Sequence, residues 1–227
     1  MLAAPSARRD TVADVSSIAP PRPTPGRTAP VTGFIADSVT GVSADLRFGP
    51  TRWARLAVAL VNTAPAQRSG DALTRPGELR DLLLAHDEPG PVEVNARDLA
   101  DARQARTALA AVFAACDDQE QVASLLNELL DRTARPRLVM HPGIPLHLHL
   151  DEPGASWGGW LAATGAMALA LLIAEHGIEV LGQCAADGCA HVVLRIGPGP
   201  RRRYCDTGCA SRTRVAAHRA SRRASGS

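Results

Sequence analysis

Four of the five cysteines lie within a 26-residue stretch near the end of this 227-residue chain. They form two close pairs, C-x4-C and C-x3-C, with fifteen residues between the pairs: Cys184, Cys189, Cys205 and Cys209. Two close pairs joined by a short turn can place four sulfur atoms at the corners of a tetrahedron, the arrangement that Zn²⁺ prefers. Because four thiolates leave no open coordination position, the spacing predicts one structural Zn²⁺ and not a catalytic metal.

Two disulfides, or four unrelated thiols, are the alternatives to zinc. The N-terminus lacks the apolar stretch of a secretory signal, so we expect a cytoplasmic protein, and in that reducing compartment paired cysteines more often bind metal. The cysteine-rich stretch has few large apolar residues, and a metal ion commonly replaces a core in so small a unit. Cys116 stands apart and is typical of a small core residue, while His191 and His218 are weaker candidates for metal ligands.

An arginine-rich segment surrounds and follows the second cysteine pair. Residues 184–227 contain nine Arg and two Asp, a local charge of +7, whereas residues 1–183 carry −5. Ala and Arg favour helix, and guanidinium groups offer a planar fork of donors that suits phosphates. The segment therefore predicts a nucleic-acid contact surface, with DNA as the expected partner. Its candidate residues are Arg201, Arg202, Arg203, Arg212, Arg214, Arg219, Arg222 and Arg223.

A solvated charged tail is the alternative to a binding surface. All 25 basic residues of the chain are Arg, which is typical of a GC-rich coding background, so the bare Arg count carries little weight. The spacing of the arginines is stronger evidence than their number, because Arg212, Arg219 and Arg223 share one face of a helix. Phosphate contacts give affinity without sequence specificity, so no target sequence can be predicted.

Short elements must position the cysteine pairs. Residues 191–196 predict a strand, residues 197–200 a turn, and residues 201–204 a return strand that leads into the second pair. Residues 178–181 predict a further strand that delivers the chain to the first pair. A basic helix is expected after Cys209.

Upstream, apolar residues recur with the period of a helix. The aromatic content is only 3%, so we expect a core of Ala, Leu and Val. Asn95 followed by Asp98 resembles a capping box. The predicted helices cover residues 53–63, 76–85, 95–115, 118–134 and 160–175. Residues 157–174 carry no charge but fall short of the ~20 mostly apolar residues of a spanning helix, so we expect a buried helix and no membrane association.

One segment between these helices has the period of a strand. Leu146, Leu148 and Leu150 alternate with His147 and His149, which predicts a half-buried strand with the leucines inward. Residues 137–140 are its expected hairpin partner, through a turn at 142–143. His141, His147 and His149 could chelate a catalytic metal, but a solvated strand face is more usual, and the chain has no HExxH, P-loop or nucleophile-elbow motif. We therefore predict no enzymatic activity.

The resulting fold class is α+β. We expect a Pro-rich disordered leader over residues 1–32, a mainly helical body with a small β-hairpin over 33–180, a small zinc finger of hairpin and basic helix over 181–223, and a disordered tail over 224–227. Asn62, a polar residue in an apolar run, either lines a pocket or, as we prefer, satisfies the end of its helix.

The C-terminal motifs resemble the CGNR zinc-finger family of bacterial transcription regulators. Residues 184–189 match its first cysteine pair and residues 202–205, Arg-Arg-Tyr-Cys, match its Arg-Arg-Trp-Cys segment. Residues 209–212 read Cys-Ala-Ser-Arg where the family has Cys-Gly-Asn-Arg, and the second pair is one residue shorter. Residues 56–63, ending in Val-Asn-Thr, are similar to the opening of the ABATE domain that accompanies this finger.

The resemblance implies a stress-induced regulator of transcription that binds DNA through the finger. It also makes a small-molecule effector of the N-terminal domain conceivable, without identifying one, and it leaves the oligomeric state open. A zinc-stabilised RNA-binding module or protein-interaction adapter is the alternative function, because the same finger and the same charge could serve another partner.

Overall fold

A computed structural model describes residues 49–66, 70–88, 91–141, 144–197 and 201–224. The predicted leader, residues 1–32, lies outside these residues. The helices are α1 (Pro50–Val61), α2 (Pro76–Ala85), α3 (Ala96–Ala114), α4 (Gln119–Thr133), α5 (Trp157–His176) and α6 (Thr207–Ala224). The strands are β1 (Arg137–His141), β2 (Ile144–His149), β3 (Leu181–Gln183) and β4 (Val192–Leu194), and a short 3₁₀ helix covers Ile178–Val180. The described fold is mainly helical with two small antiparallel strand pairs, which confirms the predicted α+β class.

Helix α5 lies at the centre of the body and packs against α1, α3 and α4. Its small residues allow close approach: a Cβ at Gly158 would overlap the backbone of Asp101, and a Cβ at Gly165 would come within 3.1 Å of Leu109. In length and composition α5 could cross a membrane, but more than half of its apolar window is buried inside the protein. Packing in the core therefore accounts for its apolar sequence.

The helix ends follow their local signals. The Asn95 side chain accepts hydrogen bonds from the N–H groups of Arg97 and Asp98, and the Asp98 carboxylate accepts one from the Asn95 N–H, which confirms the capping box. The same carboxylate also accepts from the N–H of Trp157, at 2.9 Å, so it holds the start of α5 against α3. The five body helices are confirmed, with ends displaced by at most three residues from the predicted bounds.

A buried ion pair closes the loop after α1. The Arg106 guanidinium donates to both Asp71 carboxylate oxygens, at 2.6 and 2.8 Å, and to the Thr63 hydroxyl at 3.2 Å. The hydrogen bonds from Arg106 lower the pKa of Asp71 to about 2, although burial opposes this. The pair fixes the loop to α3 because it satisfies a guanidinium that is only 10% exposed.

The β1–β2 hairpin forms as predicted, with Leu138 opposite Leu148. Of the three leucines predicted to face inward, Leu150 is buried, but the prediction is wrong for the other two. Leu146 and Leu148 are exposed, at 62% and 43%, together with Leu138 and Met140. Within the described residues no helix covers this leucine face, so it meets solvent, whereas His147 is half-buried.

The predicted return strand at 201–204 is also wrong. Strand β4 pairs instead with β3, Leu194 opposite Leu181, and residues 178–180 of the predicted strand before it form the 3₁₀ helix. The backbone N–H and carbonyl of Val192 are both bound by the side chain of Asn62. The edge of β4 that a return strand would need is therefore occupied at this residue.

Candidate metal centre and basic helix

The first cysteine pair is shaped by a tight turn between β3 and β4. The Cys184 N–H donates to the carbonyl of His191 at 2.8 Å, and the Cys189 N–H donates to the carbonyl of Ala186 at 3.0 Å. Gly188 has a φ of +67°, in the left-handed region that favours glycine. This turn brings the two sulfur atoms to the same side of the chain.

The second pair is set by the start of α6. Asp206 precedes the helix, and its carboxylate accepts a hydrogen bond from the Cys209 N–H at 2.6 Å. That hydrogen bond lowers the pKa of Asp206, so the residue is an ionised helix cap. As a result Cys209 projects from the first turn of α6 and Cys205 from the residue before the cap.

The four sulfur atoms lie within 4.8 Å of one another. The separations are 3.7 Å from Cys189 to Cys205, 3.4 Å from Cys205 to Cys209, and 3.7 Å from Cys189 to Cys209. A tetrahedral Zn²⁺ with Zn–S bonds of ~2.3 Å places its sulfur ligands about 3.8 Å apart. The cluster therefore fits one structural zinc ion, and these separations are far too long for a disulfide bond.

The electrostatics of the cluster also call for a cation. Burial and the neighbouring sulfur atoms raise the pKa of the Cys205 thiol, and burial raises that of Cys209. Burial also opposes ionisation of Cys184, but backbone N–H groups, those of Ala186 and Cys205 among them, lower its pKa overall. Four thiolates cannot all form in so small a volume without a positive ion, and zinc supplies that charge.

Other potential ligands lie elsewhere. Among the described residues, the four cysteines are the only group of three or more His, Cys, Asp or Glu side chains arranged to hold a metal, so His191 and His218 are not part of it. Cys116 packs against the helical core, where burial raises the pKa of its thiol. His147 and His149 face each other on β2 with their Nε2 atoms 3.1 Å apart.

Four of the eight predicted nucleic-acid-binding arginines have partners within or beside the finger. Arg212 donates to the Cys209 sulfur at 2.9 Å. Arg202 donates to the carbonyls of Tyr204 and Cys205. Arg203 lies 5.7 Å from the centre of the Tyr204 ring, and Arg201 lies 3.5 Å from the Glu179 carboxylate. These contacts surround the metal centre with positive charge, and a zinc ion with four thiolates carries a formal charge of −2.

The other four arginines lie on the exposed part of α6. Every described side chain from Arg214 to Arg223 is exposed, whereas the first two turns of the helix include the buried Cys209 and the half-buried Thr213. The ten residues of this projecting part span about 15 Å at 1.5 Å per residue. No acidic residue occurs within α6. The projecting arginines are Arg214, Arg219, Arg222 and Arg223.

The main role of Asn62, a contact with a distant strand, was not predicted from the sequence. Its side-chain N–H donates to the Val192 carbonyl at 3.1 Å, and its oxygen accepts from the Val192 N–H at 2.8 Å. The amide thus acts like one residue of an adjoining strand and ties the end of α1 to β4. A polar amide in an apolar helical run was the available signal, but its partner is 130 residues away in sequence.

A helical body joined to a four-cysteine metal centre and a basic helix defines a zinc-finger protein. Comparison with protein-family models then gives the family: residues 54–183 match ABATE, described as "Putative stress-induced transcription regulator", and residues 181–222 match the CGNR zinc finger. The chain belongs to the ABATE family and carries a CGNR zinc finger, as the resemblance implied. Neither family is described as an enzyme family. A search of curated proteins finds no match.

Proposed function

We propose that the protein is a cytoplasmic, DNA-binding transcription regulator whose helix α6 contacts DNA phosphates. The observation that carries the proposal is the projecting part of α6, which is exposed throughout and whose only charged side chains are arginines. The zinc centre supports it, because the metal holds the first turn of α6 and so fixes the direction in which the helix projects. The family description also supports a role in transcription.

Phosphate binding would explain the spacing of the arginines on α6. Arg219 and Arg223 are four residues apart, and like charges at that spacing destabilise an isolated helix by about 0.2–0.5 kcal/mol. A polyanion reverses the sign of that effect, because each guanidinium can donate to a phosphate and release a counterion. The four projecting arginines and the flanking Arg201 and Arg203 form the proposed contact surface.

The test is a titration of zinc-loaded protein with labelled duplex DNA, followed by fluorescence anisotropy at several salt concentrations. Four to six phosphate contacts predict that log K falls with log salt with a slope of roughly −3.5 to −5.5. Arg219→Glu with Arg223→Glu should lower the affinity by about 10- to 1,000-fold and reduce the slope by about 2, with zinc content unchanged.

The matched control is Arg97→Glu with Arg132→Glu, which makes the same change in net charge at exposed positions of α3 and α4. Equal losses in both double variants would mean that net charge alone drives binding and would refute the role of α6. Tighter binding to duplex RNA of the same length would refute DNA as the target. Absence of any nucleic-acid binding at low salt would favour the protein-interaction adapter.

A further inference from the structure

A cavity of about 380 Å³ lies where α1 meets β4 and the second cysteine pair. One wall is a single face of α1, formed by Arg55, Val58, Ala59 and Asn62 at helical spacing. The opposite wall is β4 and the residues that follow it, and Arg202 and Cys205 line the cavity from the finger. We call this space the junction cavity, because residues of both the helical body and the finger line it.

The lining of the junction cavity combines an apolar surface with positive charge. Val58, Ala59 and the β4 side chains supply the apolar part, and Arg55 and Arg202 supply the charge. No carboxylate lines the cavity among the described residues. His86, which also lines it, is half-buried, and burial lowers its pKa, so at neutral pH it offers one donor and one acceptor without a charge.

Arg55 is the residue that points to a ligand. In the part of the chain that the structure describes, it has no hydrogen-bond or ion-pair partner, whereas Arg52, one helical turn before it, binds the Glu88 carboxylate at 2.7 Å. Among the described residues, Arg55 is therefore an exposed guanidinium beside an apolar wall, with no carboxylate in an ion pair with it. Ligand sites commonly have 300–1,000 Å³, mostly apolar walls and a few polar groups, and the junction cavity meets each criterion.

We infer that the junction cavity binds a small organic anion, a carboxylate on an apolar aliphatic or aromatic body, with Arg55 as the principal partner of the carboxylate. The apolar body lies against Val58 and Ala59, the apolar part of the α1 wall. A neutral ligand would leave the Arg55 charge unpaired, and a phosphorylated sugar would leave the apolar wall uncovered.

Because residues of the finger line the cavity, a ligand bound there also affects the finger. This second part of the inference rests on the proposed function. Arg202 donates to the carbonyls of Tyr204 and Cys205, just before α6. A carboxylate in the cavity competes for the same guanidinium, because its full negative charge attracts the guanidinium more strongly than the dipole of a neutral carbonyl does. Binding of the ligand therefore changes the conformation of the residues that lead into Cys205. Because α6 follows Cys205, this change alters the direction in which α6 projects.

The test uses octanoate and phenylacetate as probes, with octanamide and phenylacetamide as neutral counterparts, titrated calorimetrically into the zinc-loaded full chain without DNA. We expect at least one carboxylate to saturate at millimolar concentration or below, and its amide to bind at least tenfold more weakly, since a hydrogen bond to a charged group contributes 1.5–3 kcal/mol, or about 10- to 150-fold. Arg55→Gln should give a similar loss, and Ala59→Phe should abolish binding by filling the cavity.

Arg97→Gln, an exposed arginine on α3, is the control and should bind the carboxylate as the wild type does. Absence of saturable binding by either carboxylate, or equal binding of carboxylate and amide, would overturn the inference. So would binding that survives Arg55→Gln but is lost in Arg219→Glu with Arg223→Glu, because the anion would then be on α6.

The link to the finger is tested separately by measuring DNA affinity with and without the saturating carboxylate. We expect a change of at least threefold in the wild type and none in Arg55→Gln. Unchanged DNA affinity with carboxylate bound would overturn the link but not the site. If the protein binds no DNA at all, the proposed function fails while the calorimetric result still decides whether the cavity is a ligand site.

Discussion

The helical body and the finger are held together by different forces. The body has a continuous apolar core that runs from α1 through α5. The finger has a separate small cluster whose fully buried members are Cys184, Ala186 and Cys209, with Tyr204 and the other two cysteines packed beside them. In the body, stability comes from apolar burial, whereas in the finger the buried groups are mainly the metal ligands themselves.

The change from stabilisation by an apolar core to stabilisation by the metal does not occur where the finger begins in sequence. Val180 and Leu181, and Val192 and Leu194 of β4, are buried in the core of the body. The β3–β4 hairpin therefore depends on the body for its stability, and only the metal-bound turn and α6 depend on zinc. The comparison shows that one sequence module can be stabilised half by an apolar core and half by a metal ion.

Removal of the metal is the change with the largest expected effect on this comparison. Cys205→Ser should lose zinc, since three thiolates hold it far less tightly, and the 18-residue helix α6 should unfold because it lacks a core of its own. Zinc content by mass spectrometry and hydrogen exchange of α5 and α6 would measure this. Cys116→Ser is the control, and retained stoichiometric zinc in Cys205→Ser would contradict the four-thiolate centre.

Acidification should unfold the two regions in sequence. Thiolates bound to zinc take up protons in mild acid, which releases the metal and unfolds the finger first. Asp71 has its folded pKa lowered to about 2 from 3.8, so its contribution to stability is complete above pH ~4 and disappears as the pH falls toward 2. Far-UV circular dichroism should therefore show two separate acid transitions.

The variant Asp71→Asn sharpens this test, because it removes the carboxylate that pairs with the buried Arg106. We expect the body to lose about 2 kcal/mol at pH 7, less than for a fully buried pair since Asp71 retains some solvent contact, and the finger to keep its zinc. A single acid transition in the wild type, or zinc loss in Asp71→Asn, would show that body and finger form one cooperative unit.

Asn62 tests the connection between the two regions. Asn62→Ala leaves the Val192 N–H and carbonyl without their partners, which should cost about 1–3 kcal/mol and raise amide exchange across β4. Zinc content should not change, because none of the four sulfur atoms contacts Asn62. Exchange rates across α4 serve as the internal control, and unaltered exchange of the Val192 amide would contradict the tether.

Arg212 should give the smallest effect, and it distinguishes an arginine with a structural role from those proposed to bind phosphate. Arg212→Gln removes the donor to the Cys209 sulfur, so we expect zinc affinity to fall by roughly tenfold, the loss of one charge-assisted hydrogen bond. Arg219→Gln, about two turns further along the same face of the helix, should leave zinc affinity unchanged. Competition with a chromogenic chelator would compare the two variants.

The parts of this structure that sequence could predict are those set by local chemistry. The Asn95–Asp98 capping box, the helix ends and the spacing of the cysteine pairs all depend on residues within a few positions of one another. The predicted burial of Leu146 and Leu148 was wrong because an alternating pattern shows that a strand has two different faces but not which face another element covers.

The contacts that sequence could not predict are those between distant residues. Asn62 lies 130 positions from the strand it binds, and no local pattern at either end indicates the pairing. The predicted arginine surface was treated as one set, yet Arg202 and Arg212 have specific partners at the metal centre while Arg219 projects from it. Spacing places residues on a helix face, but only the fold shows where the side chains of that helix become exposed to solvent.

Because α6 is held at its first turn, a small rotation there moves the far end of the helix by a much larger distance. The helix is held near Cys209, and Arg223 lies fourteen residues beyond that point, about 21 Å away at 1.5 Å per residue. A tilt of ~10° at the zinc centre would move the tip by about 3.7 Å, close to the ~3.4 Å step between successive base pairs of a duplex. A change at the sulfur atoms too small to disturb the fold would therefore displace Arg223 by about one base-pair step, and the arginines nearer to Cys209 by less.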